Sequence, residues 1–346
     1  MNKKPLVSII VLNYNAGKLL LDCIVSLKKS TYENVEILIV DNISSDNSHT
    51  ECKEKFPDVK LIQNKQNLGY CGGNNVGINQ ANGEFIVILN PDTIVECDWI
   101  QELITAYKKF GDGLYQPKIL SLNEENIIQS TGNMIHVFGF GFARDKGKKI
   151  TNEKEEVEKI GYASGTCLFT SRKVINKIGM LDEFLFLYHD DLDLGWRAAQ
   201  IGINSYYVPK SKIFHVESYS LKWSSKKFYW LERNRKYCLQ THYSKTTYAK
   251  MKSSLILVDI FVWAFYFSKG FLGAKIKAEL DIRKNKQFIE KKYRELENLK
   301  TVSDTELIKN FPDEIFVPTN VSNQSMNLTF NSVLTNLSKK IKKKLN

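Results

Sequence analysis

Glu84-Phe85-Ile86-Val87-Ile88-Leu89-Asn90-Pro91-Asp92-Thr93 is the stretch on which the reading of the whole chain turns. Its Phe-Ile-Val-Ile-Leu core is an unbroken apolar run of strand length and β-branched character, the pattern of a strand buried on both faces of a parallel sheet. The run stops at Asn-Pro-Asp. Pro91 has no amide to give to a ladder, so the strand ends there and Asp92 projects beyond it. Open α/β sheets bind ligands outside the carboxyl ends of their strands. A carboxylate at such an end, with an oxygen donor two residues earlier at Asn90, suits a hard divalent cation that also holds substrate phosphates. A loop aspartate in a turn has the same local sequence.

Upstream, residues 6–12 form another buried apolar run, followed by the loop Asn13-Tyr14-Asn15-Ala16-Gly17. Leu19, Leu20, Cys23, Ile24 and Leu27 then recur at three- and four-residue steps, predicting a helix with one apolar face. Residues 35–40 predict the next strand, which ends in Asp41-Asn42 and a turn rich in Ser and Asp, completing a βαβ unit. The loop after the first strand lacks Gly-x-Gly-x-x-Gly, which argues against a nicotinamide enzyme. Asp41 can accept hydrogen bonds from a nucleotide's base or ribose, or cap a helix. After a short strand at 59–62 comes Asn67-Leu68-Gly69-Tyr70-Cys71-Gly72-Gly73-Asn74-Asn75-Val76-Gly77-Ile78. Glycines and asparagines around a helix start let the backbone approach a ligand and offer it amide donors; a flexible loop has a similar composition.

The chain of 346 residues has 43% hydrophobic and 12% aromatic residues, enough for a large core and a globular fold. A formal charge of +11 admits nucleic acid, anionic membrane or phosphorylated substrates as partners. No nucleic-acid-binding motif accompanies it, so nucleic acid is not an expected partner. Cysteines 23, 52, 71, 97, 167 and 238 form no Cys-x-x-Cys pair, which argues against a zinc site or disulfide scaffold and for reduced thiols in the cytosol. No apolar run at the amino terminus has signal-peptide length.

Further on, Asp190, Asp191 and Asp193 precede Leu194, Trp196 and Arg197, so the acids stand at a helix start. Helix starts favour negative charge for structural reasons alone. Adjacent acids following the largely apolar Phe184-Leu185-Phe186-Leu187-Tyr188 also have the character of a partly buried general base.

The order of these pieces is more specific than any one of them. Strand then Asn-Tyr-Asn, strand then Asp-Asn, the Gly/Asn stretch, and Leu-Asn-Pro-Asp are followed by Gly161-Tyr162-Ala163-Ser164-Gly165-Thr166-Cys167, Arg172, Gly179-Met180-Leu181-Asp182-Glu183 and His189-Asp190-Asp191-Leu192-Asp193. Together they resemble the inverting glycosyltransferases of family 2, particularly the rhamnosyltransferase-like branch. The resemblance covers residues 6 to 217, fades through about 275, and is absent beyond.

That resemblance implies a GT-A fold, α/β with a mostly parallel nucleotide-binding sheet flanked by helices. It implies a UDP- or dTDP-sugar donor near Asn13, Asn67, Gly69, Gly73 and Asn74, with Asp41 on the nucleotide base. Asn90 and Asp92 match the family's Asp-x-Asp motif for Mg²⁺ or Mn²⁺ on the donor diphosphate; here an amide replaces the first acid. His215 matches a histidine that some members use near the metal or diphosphate. Asp191 matches the general base, with Asp190 orienting acceptor or base. The acceptor would be a saccharide or lipid-linked saccharide. The Gln-x-x-Arg-Trp motif of processive members is absent, so one sugar per encounter is expected.

The expected domains are a GT-A domain at 1–217, a helical basic and aromatic extension at 218–300, and a poorly structured tail with a basic end at 301–346. Within the extension, Arg233 or Arg235 could reach a leaving diphosphate, or both could be solvated helix charges. Residues 255–267 are strongly apolar but shorter than the ~20 residues that span a bilayer, predicting a helix packed on the domain or lying in a membrane interface. With the flanking lysines they suit peripheral contact with anionic lipid at the inner face of the cell membrane. Residues 319–336 are Asn/Ser/Thr-rich and are expected to be disordered or loosely attached.

Overall fold

In the computed structural model of the chain, which describes residues 4–150, 156–216, 224–316 and 324–345, four parallel strands carry the first half. They are β1 Val7–Asn13, β2 Val35–Asp41, β3 Lys60–Gln63 and β4 Phe85–Leu89, side by side in the order β4-β1-β2-β3. β1 and β4 are buried along their whole length, as their unbroken apolar runs require. The helices α1 Lys18–Lys28, α2 Ser48–Lys55 and α3 Gly69–Gln80 connect them. Asn13 is in register with Asp41, and Val11 with Leu89, so the chain leaves β1, β2 and β4 at one edge of the sheet.

The sheet continues through β5 Thr93–Val95, β6 Gly113–Ser121, β7 Ile128–Ser130, a separate pair β8 Asn133–Ile135 and β9 Gly141–Ala143, then β10 Glu158–Ile160, β11 Cys167–Ser171 and β12 Asn204–His215. Among the described residues its order is β10-β12-β6-β11-β4-β1-β2-β3. β11 runs antiparallel between β4 and β6, placing Cys167 opposite Leu89. The segment entering β11 therefore lies at the edge where β4 ends. β12 runs parallel to β6 and pairs antiparallel with β5, so His215, its last residue, lies opposite Thr93. Helices α4 Trp99–Phe110, α5 Arg172–Ile178 and α6 Asp190–Gln200 complete this part. Phe85 stacks on Phe169 with ring centroids 5.0 Å apart, in a core shared with Trp99 and Tyr115; full burial of such a side chain contributes about 1.5–3 kcal/mol.

The chain divides into two compact units. The first comprises Met1–Asn133, Ala143–Ala198 and Ile203–Tyr219; the second comprises Met134–Phe142, Ala199–Gly202 and Ser220–Asn346. Two short pieces from within the expected first domain, Met134–Phe142 and Ala199–Gly202, belong with the second unit. The reason is polar tethering. Arg235 donates to the Phe138 carbonyl (3.1 Å), Tyr243 to that of Val137 (2.8 Å), and Gln200 to that of His242 (2.7 Å).

The second unit contains α7 Ser225–His242, α8 Lys245–Ser268, α9 Leu272–Lys284, α10 Lys286–Leu299, α11 Asp304–Lys309 and α12 Gln324–Leu345. The tail at 301–346 therefore differs from expectation, since it carries two helices. Leu334, Ser338 and Ile341 recur at helical spacing and are buried, Ser338 donating to Asp313 (2.6 Å), a buried stripe that the Asn/Ser/Thr-rich composition obscured. Residues 319–323 of that stretch lie outside the described residues. The arginines of α7 are not solvated either. Arg235 forks onto Glu232 (2.8 and 2.9 Å), and Arg233 lies over the Trp230 ring at 4.4 Å and within 3.5 Å of Asp281. A guanidinium leaves water when carboxylates and ring faces replace its hydration.

Candidate active site

The parallel strands bring polar residues together at their carboxyl ends. At the end of β1, Asn13 is fully buried and turns its amide to Asp41 Oδ1 (2.8 Å), Ser48 Oγ (2.9 Å) and Ser44 Oγ (3.0 Å). Asp41 takes the Ser44 amide on Oδ2 (3.0 Å) and has His49 Nδ1 3.4 Å from Oδ1. Next to it Asn42 donates to the Gly69 carbonyl (2.9 Å) and accepts from Asn64 (2.8 Å), while Asn67 Oδ1 receives the Gly69 amide (2.8 Å). The Asn42 amide also donates to the Asn13 carbonyl (2.9 Å), so Asn13, Asp41, Asn67 and Gly69 belong to one hydrogen-bonded cluster. Tyr14 and Ile43, both about half exposed, stand beside it.

A second group sits past β4. Thr93 turns its hydroxyl to the Asn90 carbonyl (2.7 Å), which closes the Asn-Pro-Asp turn, and Asn90 itself is half-buried. Asp92 is 7% exposed, and its Oδ1 lies 3.3 Å from Nε2 of His215. The tautomer of His215 follows from Gln129. That side chain donates Nε2–H to the His215 carbonyl (2.8 Å), so its Oε1 is what faces His215 Nδ1 at 2.7 Å. Nδ1 must then carry hydrogen, and the Nε2 of a neutral ring is bare. Asp92 Oδ1 accordingly has no hydrogen-bond partner among the described residues. A buried carboxylate oxygen and an imidazole nitrogen 3.3 Å apart offer a divalent cation two of its usual donors.

The third group is the acid pair. Three non-glycine residues before it, Phe186, Tyr188 and His189, have φ of +61°, +66° and +62°. Side-chain-bearing residues rarely adopt this region, and strain of this kind concentrates where surrounding structure fixes a functional segment. The contorted loop inserts the Phe186 carbonyl onto the Tyr70 (2.7 Å) and Cys71 (3.3 Å) amides at the start of α3. It then delivers Asp190 and Asp191 to the first turn of α6. Asp191 accepts from the Gly165 amide on Oδ2 (3.0 Å) and from the Leu192 amide on Oδ1 (2.8 Å). Gly165 is fixed in turn by Tyr70, whose hydroxyl donates to its carbonyl, and the neighbouring Thr166 carbonyl accepts the Asn90 amide (3.0 Å). One short segment therefore joins the acid pair to the Asn-Pro-Asp turn.

Burial and the neighbouring Asp191 charge push the Asp190 carboxyl well above the usual range. Burial also raises Asp191, but the two amides it accepts from hold it lower. The two carboxyls titrate as a pair above the usual carboxylate range, and a pair that shares a proton can supply a base beside a donor. Asp193 has a different job. It is fully buried, forms a fork with Arg197 at 2.7 and 2.8 Å, and through it pins the Ile178 and Met180 carbonyls.

Comparison with known proteins gives this geometry a family. Residues 8–179 match the profile of Glycosyl transferase family 2. The chain carries a family 2 glycosyltransferase domain. Over 208 residues, 57% of this chain and 62% of the relative, it is 27% identical to the low-salt glycan biosynthesis hexosyltransferase Agl10 of Haloferax volcanii. Over 238 residues, 61% of this chain and 76% of the relative, it is 26% identical to the N-acetylglucosaminyl-diphospho-decaprenol L-rhamnosyltransferase of Mycobacterium tuberculosis. In structure it resembles GalNAc-T7, solved with UDP, GalNAc and Mn²⁺, with a TM-score of 0.59 at 17% identity, covering 73% of this chain and 52% of that one. The likeness is one of fold, and the fold is GT-A.

Not every residue expected at the glycosyltransferase domain's donor site lies with the clusters above. A Cβ on Gly73 would come within 2.4 Å of Leu12 Cδ1, and one on Gly77 within 2.4 Å of Ile10 Cγ2, so these glycines let α3 rest on β1. Asn74 is fully buried and donates back to the Tyr70 carbonyl of its own helix (2.9 Å). The helix-start amides of Tyr70 and Cys71 are occupied by Phe186, which corrects the expectation that they face a ligand. Arg233 belongs to the second unit and has Asp281 and Trp230 as its partners there. Sequence reasoning missed Gln129, Tyr70 and Gly165 as residues that fix the site. Tyr70 and Gly165 stand in the quoted motifs, whereas nothing in the sequence around Gln129 marks it.

Proposed function

We propose that the domain transfers a single hexose or deoxyhexose from a UDP- or dTDP-sugar to a hydroxyl of a glycan or lipid-linked glycan precursor, with inversion at the anomeric carbon. The observation that carries this reading is the acid pair Asp190–Asp191, joined through Gly165–Thr166 to the Asn90–Asp92 turn at one sheet edge. Asp191 takes the proton of the acceptor hydroxyl as that oxygen bonds to the anomeric carbon. The bond from that carbon to the diphosphate oxygen breaks, and the nucleoside diphosphate leaves with its electron pair. Asp190, still protonated, donates a hydrogen bond to acceptor or base. Asp41 and the Asn13 cluster hold the nucleotide end. Asp92 and His215 would hold a Mg²⁺ or Mn²⁺ ion, with Asn90 as a neutral third ligand, and that ion would neutralise charge on the departing diphosphate. The mycobacterial relative's name supports rhamnose as the sugar and a polyprenyl-linked saccharide as the acceptor. Six cysteines, none of them in a disulfide, suit the cytosolic side, where nucleotide sugars are made available.

Titration calorimetry of the purified protein with UDP, dTDP and GDP, each with and without Mn²⁺, tests the donor class. UDP or dTDP should bind, and Mn²⁺ should tighten it. Asn90 in place of an acid favours one competing reading, a sugar-nucleotide-binding protein without transferase activity. It predicts nucleotide binding with no turnover even on membrane glycolipid extracts. Within the leading reading Gln129 sets the His215 tautomer, so Gln129→Leu should weaken Mn²⁺ binding by about 10–100-fold. In a His215→Ala background the same substitution should cost nothing further, a non-additivity that calorimetry with Mn²⁺ reads directly.

A further inference from the structure

Helix α8 is apolar on two faces and covered on one. Met251, Val258, Val262 and Tyr266 form its buried stripe, whereas Ile256 (54% exposed), Ile260 (58%) and Phe267 (71%) face outward. α9, which packs against it, repeats the pattern: Ala274, Ala278 and Ile282 are buried, and Leu272, Ile276 and Leu280 form an outward stripe at four-residue spacing. A helix apolar all round belongs in an interior or against lipid. α10 of the same unit is more mixed, exposing Lys286, Lys291, Arg294 and Glu295 beside Phe288 and Leu299, with Ile289 and Leu296 buried.

The charges around the α8–α9 face are sorted by sign. Lys250, Lys252, Lys277, Arg283 and Lys284 are exposed, and no exposed residue of either helix is acidic. The three acids of these helices are turned to protein partners. Asp259 and Glu279 lie 2.6 and 2.7 Å from Nζ of the buried Lys275, and Asp281 accepts from Tyr229 (2.7 Å). Those contacts also explain why Asp259 interrupts an apolar run: it anchors the helix to its own unit. α8 has the length and hydropathy to cross a bilayer, but its Asp259 side and its Met251–Tyr266 stripe are engaged in the unit.

We propose that the outward face of α8 and α9 seats in the interfacial layer of an anionic bilayer, with Ile256, Ile260, Phe267, Ile276 and Leu280 among the acyl chains and the lysines at phosphate level. A second copy is the poorer occupant, because a two-fold contact through this face would oppose lysines to lysines. The inference does not depend on the proposed transfer reaction, and its test needs no donor or acceptor.

The test is flotation of the full chain with vesicles of phosphatidylcholine, with and without phosphatidylglycerol. The protein should float with the anionic vesicles and be released by salt. Ile260→Glu/Phe267→Glu, both substitutions at exposed positions, should reduce partitioning at least about tenfold. Lys252→Glu/Lys284→Glu, both at exposed positions, should reduce it on anionic vesicles without lowering the thermal midpoint. Absence of the wild-type chain from anionic vesicles would overturn the proposal. So would undiminished flotation of the first variant, or a wild-type dimer in sedimentation that the first variant dissociates while lipid binding stays unmeasurable.

Discussion

Asp191→Asn should lower the rate of sugar transfer by about 10²–10⁴-fold while leaving nucleoside diphosphate binding unchanged. The substitution keeps the volume and one acceptor oxygen, which can stay on the Gly165 amide and hold the segment that reaches Asn90, at the cost of the Leu192 amide. What it removes is the one site that can take a proton. Asp190→Asn makes the contrast, because an amide can still donate the hydrogen bond assigned to Asp190; its cost should be smaller. A larger loss at Asp190 than at Asp191 would reverse the assignment. The pH profile follows from the same environment. Both carboxyls are raised by burial, so kcat/KM should climb with pH through an inflection above the ordinary carboxylate range, and that limb should vanish in Asp191→Asn. The linked effect on stability has the opposite sense. Groups that bind protons more tightly folded than unfolded stabilise fully below the unfolded pKa, and that contribution is lost as pH rises through the folded values.

Asp92→Ala should weaken Mn²⁺-supported nucleotide binding by at least about 100-fold and abolish its dependence on the metal, leaving the weaker metal-free binding intact. The reason is that Oδ1 of Asp92 is buried without a hydrogen-bond partner among the described residues, 3.3 Å from Nε2 of His215. Calorimetry of UDP or dTDP against the variant, with and without Mn²⁺, measures both quantities. Metal-stimulated binding that survives the substitution would remove Asp92 from the metal reading. His215→Ala should show the same direction with a smaller loss, since an imidazole contributes no charge to the cation.

The fold was legible where burial dictates composition. Runs such as Phe85–Leu89 have no polar face, and only a central parallel strand leaves such a run with nothing exposed. Parallel strands also made Asp41 and Asp92 legible, because their carboxyl ends share an edge whatever the details of packing. His215 came only from family resemblance, because it depends on β12 returning beside β5, a long-range pairing that no local pattern encodes. Gln129 depends on that same return. Gly73 was misread because a glycine that lets a helix approach a strand and one that admits a phosphate look identical in sequence. Arg233, Arg235 and the α12 stripe were misread for a related reason: charge and Asn/Ser/Thr content describe what solvent prefers, and here specific partners outweigh it.

The central claim is that one sheet edge holds the donor's diphosphate and metal beside the acid pair. Crystals grown with Mn²⁺ and the nucleoside diphosphate that binds, measured at the manganese absorption edge, test it most directly. An anomalous peak is expected between the Asp92 carboxylate and Nε2 of His215, with the diphosphate against it and the base toward Asp41. Manganese elsewhere, or a nucleotide bound away from Asp41 and Asp92, would contradict it.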